Sequence, residues 1–302
     1  MTINKKIQRR INVKLEDIHI RDPYVLAEDG IYYLYGTRAN HPLGPRQGEG
    51  LDVYTSKDLI NWSEPHECFK KPEKFWADRD FFAPEVHKYN GAYYMFASFR
   101  SLSKNRATQI LRSESPIGPF NPISEGPMTP EDRVCLDGTF FVDDKNNPWI
   151  VFCHEWTQIG NGTICATRLT DDLSATIGEP ELLFPAGDAK WVFSLNPNED
   201  GHFVTDGPFF YRLKNGKLIM LWSSFIKTFG YVQTYALSES GTLKGPWKQQ
   251  DEPLYKNDGG HGMIFKGFDG QLFLILHQPN GHPYERPRIF SITETDDGIK
   301  FL

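Results

Sequence analysis

Carboxylates at recurring points along a chain can divide acid–base work, one taking a proton while another gives it. Three aspartates in this sequence stand at such points: Asp22 before Pro23, Asp137 before Gly138 and Asp206 before Gly207. A fourth acid, Glu155 in His154-Glu155-Trp156, follows a strand-like run close behind Asp137. Any one aspartate before Pro or Gly reads most simply as a turn residue. Three at one phase of a repeat read better as a site, because charged groups are rarely buried without a reason. The chemistry open to convergent acids is a two-carboxylate reaction.

Such a set needs a scaffold that brings distant segments to one place, and the chain repeats itself in a way that supplies one. A hairpin-like pattern recurs five times, over residues 22–35, 83–96, 137–152, 206–222 and 262–276. Each copy has an apolar strand, a turn carrying Asp-Gly, Asn-Gly or Asn-Asn, and an aromatic-rich strand. A second pattern follows most of the copies, for example Val53-Tyr54-Thr55-Ser56 and Ala236-Leu237-Ser238-Glu239, and the fifth unit closes more loosely. Two hairpins per unit make a four-stranded blade, so the expected fold is an all-β, five-bladed propeller in one domain spanning residues 1–302. Repeat spacings of roughly 55–70 residues are long for propellers and leave room for functional loops on one face. The residues opening the first strand of each copy are Asp22, Ala83, Asp137, Asp206 and, slightly shifted, His261. Those closing the second are Thr37, Ser98, Glu155, Ser224 and His277. Both sets are expected at the mouth of the central channel.

Composition narrows the partners. The net charge of -6 argues against a nucleic-acid backbone. No run of about 18 apolar residues suggests a membrane span. Cys68, Cys135, Cys153 and Cys165 show no C-x-x-C spacing, which argues against zinc. Met1 to Arg10 is polar and basic without an apolar core, so no signal peptide is expected and the chain reads as cytoplasmic with reduced thiols. Aromatic residues make up 14% of the chain. Most must be strand and core residues; Trp76, Phe81, Phe82, Trp156 and Trp191 fall in or beside loops and are the better sugar-stacking candidates.

Five segments in propeller order carry a family resemblance: Ile20-Arg21-Asp22-Pro23-Tyr24, Phe82-Ala83-Pro84-Glu85-Val86-His87, Leu136-Asp137-Gly138-Thr139-Phe140-Phe141, Thr205-Asp206-Gly207-Pro208-Phe209 and Gly260-His261-Gly262-Met263. The sequence resembles glycoside hydrolase family 43 over nearly its whole length. The resemblance implies an inverting glycosidase acting on α-L-arabinofuranosides or β-D-xylosides, and a chain length without an appended module together with the cytoplasmic reading favours exo action on short, plant-derived oligosaccharides. The resemblance also implies Asp22 as general base and Asp137 as the residue that orients the acid and tunes its pKa. The family's acid is usually a glutamate before Gly-Pro, whereas this chain has Asp206 there. Alignment favours Asp206 as the acid, and reach favours Glu155 as its rival.

Other residues are candidates for holding the sugar. Glu85 and His87 alternate along one strand, and Glu85 could bind a hydroxyl or pair with an arginine. Arg286 could clamp hydroxyls, and Phe82, Trp76 and Trp156 could stack. His261 resembles a family histidine that helps hold a central ion, often calcium, through water; no cofactor is expected to be required. A non-catalytic carbohydrate-binding propeller would explain the loops and aromatics but not the repeated acids. A related propeller glycosidase with another sugar specificity is the nearer alternative.

Overall fold

The computed structural model describes residues 13–38, 49–196 and 198–302. Met1–Arg10, on which the reading of no leader rested, lies outside them. The chain forms five antiparallel sheets arranged as a five-bladed β-propeller, with almost no helix. The inner strands are Ile20–Glu28, Arg79–Tyr89, Cys135–Val142, Asp206–Arg212 and Gly260–Lys266. Each touches the next around the ring, and the fifth returns to the first. The hairpin turns fall where the Asp-Gly and Asn-Gly pairs stand, with Gly30, Gly91 and Gly216 at positive φ. The first sheet carries two extra short strands, Val13–Lys14 and Asn61–Trp62.

Alternating apolar residues on the strands bury one face of each blade against its neighbour. The first and second blades enclose Leu34, Phe69, Phe81, Met95 and Phe99. The third and fourth enclose Val151, Phe184, Met220 and Trp222. Burying one such side chain fully contributes about 1.5–3 kcal/mol, which is how blades without shared strands hold together. The four cysteines are buried and unbridged.

No strand of the described residues is shared between the first and fifth sheets. Side chains close that seam instead. The Asp22 N–H donates to His277 Nδ1 (3.2 Å) and Arg21 Nη2 to Asn280 Oδ1 (3.2 Å). The Phe268 N–H donates to the Tyr32 hydroxyl (3.1 Å), and Arg286 Nε to the Glu16 carbonyl (3.0 Å).

Every inner strand breaks register near its start. The breaks lie between Arg21 and Tyr24, Phe82 and Glu85, Leu136 and Thr139, Asp206 and Phe209, and Gly260 and Met263. Each puts two residues opposite one, the pattern of a β-bulge. The first bulged residue has positive φ in all five: Asp22 (52°), Ala83 (45°), Asp137 (54°), Gly207 (54°) and His261 (51°). Non-glycine residues seldom adopt this conformation, and where they do it often marks function.

This register corrects the expected phase. Gly207, not Asp206, is the fourth blade's counterpart of Asp22 and Asp137. Asp206 sits one residue earlier, level with Arg21, Phe82, Leu136 and Gly260. The second-strand partners are Thr37, Ser98, Cys153, Ser223 and His277. Glu155 and Ser224, expected in that set, are displaced. Glu155 lies beyond the strand Pro148–His154, at the start of the short helix Trp156–Ile159. The Ser224 hydroxyl turns to the Val204 carbonyl (2.7 Å). A bulge leaves no mark in a hydrophobic pattern, so a one-residue offset cannot be read from it.

Candidate active site

The bulges and the loops above them enclose a cavity of about 430 Å³ at one end of the ring. Two tiers of inner-strand residues line it: Arg21, Phe82, Leu136 and Asp206 before the bulges, and Asp22, Asp137 and His261 within them. Arg106, Glu155 and His282 come from loops, and Trp156 opens the short helix Trp156–Ile159. The four acids picked from the sequence therefore meet in one place.

Asp22 is a buried anion. Its Oδ2 accepts from the Thr37 hydroxyl (2.6 Å); its Oδ1 faces Arg21 Nε (3.3 Å) and His261 Nδ1 (3.2 Å). Burial alone would push its carboxyl up. His261, Arg21 and the Thr37 hydroxyl outweigh that and hold it well below the usual carboxylate range. His277 is neutral: burial, then Arg21, brings its imidazole down to about 3. That state agrees with its bonds, Nδ1 accepting from the Asp22 amide and Nε2 donating to Asn280 Oδ1 (3.0 Å). Its approach of 3.5 Å to Asp22 Oδ1 is then a close contact rather than an ion pair.

Asp137 and Asp206 behave in the opposite way. Their carboxyls share a hydrogen bond, and both values move up. Burial raises Asp137 to about 6, opposed by the hydrogen bond with Asp206, the Gly207 amide and Arg106, with Asp22 adding to the rise. Burial and the Asp137 charge raise Asp206 well above its usual value, so Asp206 holds the shared proton. Asp137 Oδ2 accepts the Gly207 N–H at 3.0 Å, and Asp206 Oδ2 accepts the Tyr231 hydroxyl at 2.8 Å. Tyr231 is buried and stacks on His277, with ring centroids 5.5 Å apart. Gly207 has no room for a side chain: a Cβ there would stand 2.7 Å from the His261 ring.

Glu155 is tied down differently. Arg106 bridges it (2.8 Å) to Asp80 (2.7 Å) and lies over the Phe82 ring, 5.3 Å from its centroid. Burial raises the Glu155 carboxyl, and Arg106 opposes the rise by stabilising the anion.

The sugar-holding candidates divide. Phe82, Trp156 and His261 line the cavity. Trp76 does not: it packs on Phe75 and Phe99, and its indole N–H donates to Gln109. Trp191 stacks on Trp222, and Phe81 is core. Glu85 and His87 lie further down the inner strand, outside the cavity lining. Among the described residues Glu85 pairs with no arginine; it accepts from the Thr139 hydroxyl (2.6 Å) and faces His87 Nε2 (3.0 Å). Arg286 is committed to the carbonyls of Glu16, Pro283 and Glu285 and to His19. Arg21 is the arginine that reaches Asp22, beside it in the same motif, as Arg106 reaches Glu155. Arg106 and Tyr231 stand in no repeated pattern, so nothing in the sequence singled them out.

Asp137, Asp206 and His261 each bring a donor atom within 4.8 Å of the others. Calcium asks for roughly six to eight oxygen ligands. This group offers an imidazole and two carboxylates whose oxygens already accept hydrogen bonds, so it does not fit direct calcium ligation.

The model of the family described as "Glycosyl hydrolases family 43" matches residues 17–299. An endo-arabinase structure from Bacteroides thetaiotaomicron is 42% identical, with a TM-score of 0.87 over 96% of this chain and 99% of that one. The extracellular exo-α-(1→5)-L-arabinofuranosidase of Cellvibrio japonicus is 21% identical over 293 residues, 87% of this chain and 79% of that protein. An extracellular endo-α-(1→5)-L-arabinanase of Bacillus subtilis is 26% identical over 150 residues, 46% of this chain and 45% of that protein.

Proposed function

The chain belongs to glycosyl hydrolases family 43 and is a glycosidase, and from that premise we propose that it hydrolyses α-L-arabinofuranosidic bonds with inversion, using Asp22 as base and Asp206 as acid. The observation that carries the assignment is the opposed charging of two aspartates in one cavity, Asp22 held ionised and Asp206 held protonated. Asp22 takes a proton from water as the water oxygen bonds to the anomeric carbon. The bond from that carbon to the leaving oxygen breaks, and Asp206 gives that oxygen its proton. Asp137 stands against Asp206 and keeps its pKa raised, because two adjacent carboxyls resist ionising together. Arg106 holds Glu155 in place at the cavity wall, which fits a binding rather than a donating role. Phe82 and Trp156 offer faces for the sugar. No cofactor enters these steps.

Arabinose is favoured over xylose by the names of the relatives above. The sequence suggests release of terminal sugars, whereas the 42% identical relative named an endo-arabinase favours cutting within the polymer. Hydrolysis of aryl α-L-arabinofuranoside against aryl β-D-xyloside tests the sugar. Product sizes from linear arabinan test the mode: arabinose alone from the start supports the exo reading, and a ladder of oligosaccharides supports the endo reading. Proton NMR of the first-formed sugar tests the stereochemistry, and a retained anomer would sink the mechanism.

A further inference from the structure

The five bulge amides are buried and need acceptors. In four blades a side chain at the end of the preceding blade's second strand supplies one. The Ala83 N–H donates to Thr37 Oγ1 (2.7 Å), Asp137 N–H to Ser98 Oγ (2.8 Å), His261 N–H to Ser223 Oγ (2.8 Å) and Asp22 N–H to His277 Nδ1 (3.2 Å). In the third blade that position, opposite Leu136, is Cys153. A thiol is a weak acceptor, and the amide it would serve, Gly207 N–H, donates to Asp137 Oδ2 at 3.0 Å instead.

We propose that Cys153 is a positioning residue: by offering the Gly207 amide no good acceptor, it leaves that N–H to Asp137 and so fixes the carboxyl that stands against Asp206. This rests on the reading of Asp137 as the partner of the acid. Cys153 is fully buried, and burial, with Asp137 and Asp206 adding, keeps its thiol neutral. The His261 ring stands close beside Gly207, where a Cβ would lie 2.7 Å from it. Asp137 is faced by Asp22 from the first blade, Arg106 from the second, Cys153 from its own, Asp206 from the fourth and His261 from the fifth. The Gly207 N–H is the backbone donor among these partners.

Cys153→Ser restores the hydroxyl acceptor that Thr37, Ser98 and Ser223 provide elsewhere. The expected result is a kcat lower by about tenfold with KM within about twofold, because a charge-assisted hydrogen bond to Asp137 is weakened. In NMR spectra the Gly207 amide proton should move and cease to follow the titration of Asp137. Cys153→Ala removes the sulfur without adding an acceptor. It should lose stability through the cavity, keep the Gly207 amide on Asp137 and lose less kcat than the serine variant. A packing role alone predicts the reverse order, since serine fills more of the space. The inference is overturned if the serine variant keeps wild-type kcat, or if the alanine variant loses as much kcat or releases the Gly207 amide. Asp137→Asn measured in parallel separates the two claims. If it is crippled while Cys153→Ser is not, the positioning inference alone fails. If it turns over normally, the reading of Asp137 fails and takes the inference with it.

Discussion

Two corners of one cavity hold the same residue type in opposite states. At the seam between the first and fifth blades, Asp22 faces Arg21, His261 and the Thr37 hydroxyl, all of which favour the anion. Between the third and fourth blades, Asp137 and Asp206 face each other, with a backbone amide and a phenol as their neutral donors. Burial is common to both corners and would raise all three carboxyls. The neighbours decide the outcome, and the contrast is what a reaction needing one ionised and one protonated carboxyl requires.

Replacing Asp22 with Asn tests the ionised corner and should have the largest effect. Turnover is expected to fall by about 10⁴-fold in a folded protein that still binds substrate. A kcat within a few-fold of wild type would remove Asp22 from the chemistry.

Asp206→Asn tests the protonated corner. A natural disaccharide, whose leaving group needs a proton, should lose about 10²–10⁴-fold in kcat/KM, and an activated aryl glycoside far less. Glu155→Gln should mainly raise KM and keep the leaving-group pattern intact. An exchange of these two outcomes would make Glu155 the donor.

Asp137→Asn removes the charge that keeps Asp206 protonated. The alkaline limb of the pH–rate profile should then move to lower pH, by about one unit if one neighbouring charge is lost. A limb that stays in place would uncouple the pair.

The smallest effect sharpens the contrast through stability. Asp22, with its value lowered on folding, stabilises the fold above the usual carboxylate range and loses that contribution as pH falls towards the lowered value. Asp206, with its value raised, costs stability increasingly as pH climbs from the ordinary carboxylate value towards the raised one. At pH 7 Asp22→Asn should lower Tm and Asp206→Asn should raise it, each by about 2 °C or more. Shifts of the same sign in calorimetry would erase the distinction.

The repeats made the propeller legible, because five hairpins with Asp-Gly and Asn-Gly turns leave few other architectures. Asp22 and Asp137 were legible for the same reason. The offset of Asp206 was not, because a bulge adds a residue without disturbing the alternation around it. Arg21 stood in view inside the motif of Asp22, yet its reach depends on the register of the bulge. Arg106 and Tyr231 become partners of Glu155 and Asp206 only once the blades are assembled. Trp76 shows the opposite error: its place beside a loop suggested a free face, and folding gave it structural partners instead; Arg286, a candidate hydroxyl clamp, is likewise tied to backbone carbonyls.

The closing seam gives the cavity a second meaning. At every other boundary of the ring the chain itself passes from blade to blade, but here the bonded residues are 255 and 259 positions apart in sequence. Nothing covalent nearby holds them together, so the joint rests on these bonds and on the packing of Met263, Phe265 and Ile275 in the first blade's core. The joint is built from Arg21 and Asp22 on one side and His277 and Asn280 on the other. If heating opens this joint first, activity should fade before sheet structure does, which activity and far-UV circular dichroism followed on one temperature ramp would check. A ligand bound between Asp22 and His261 would bridge the joint, so its occupancy should favour the closed ring.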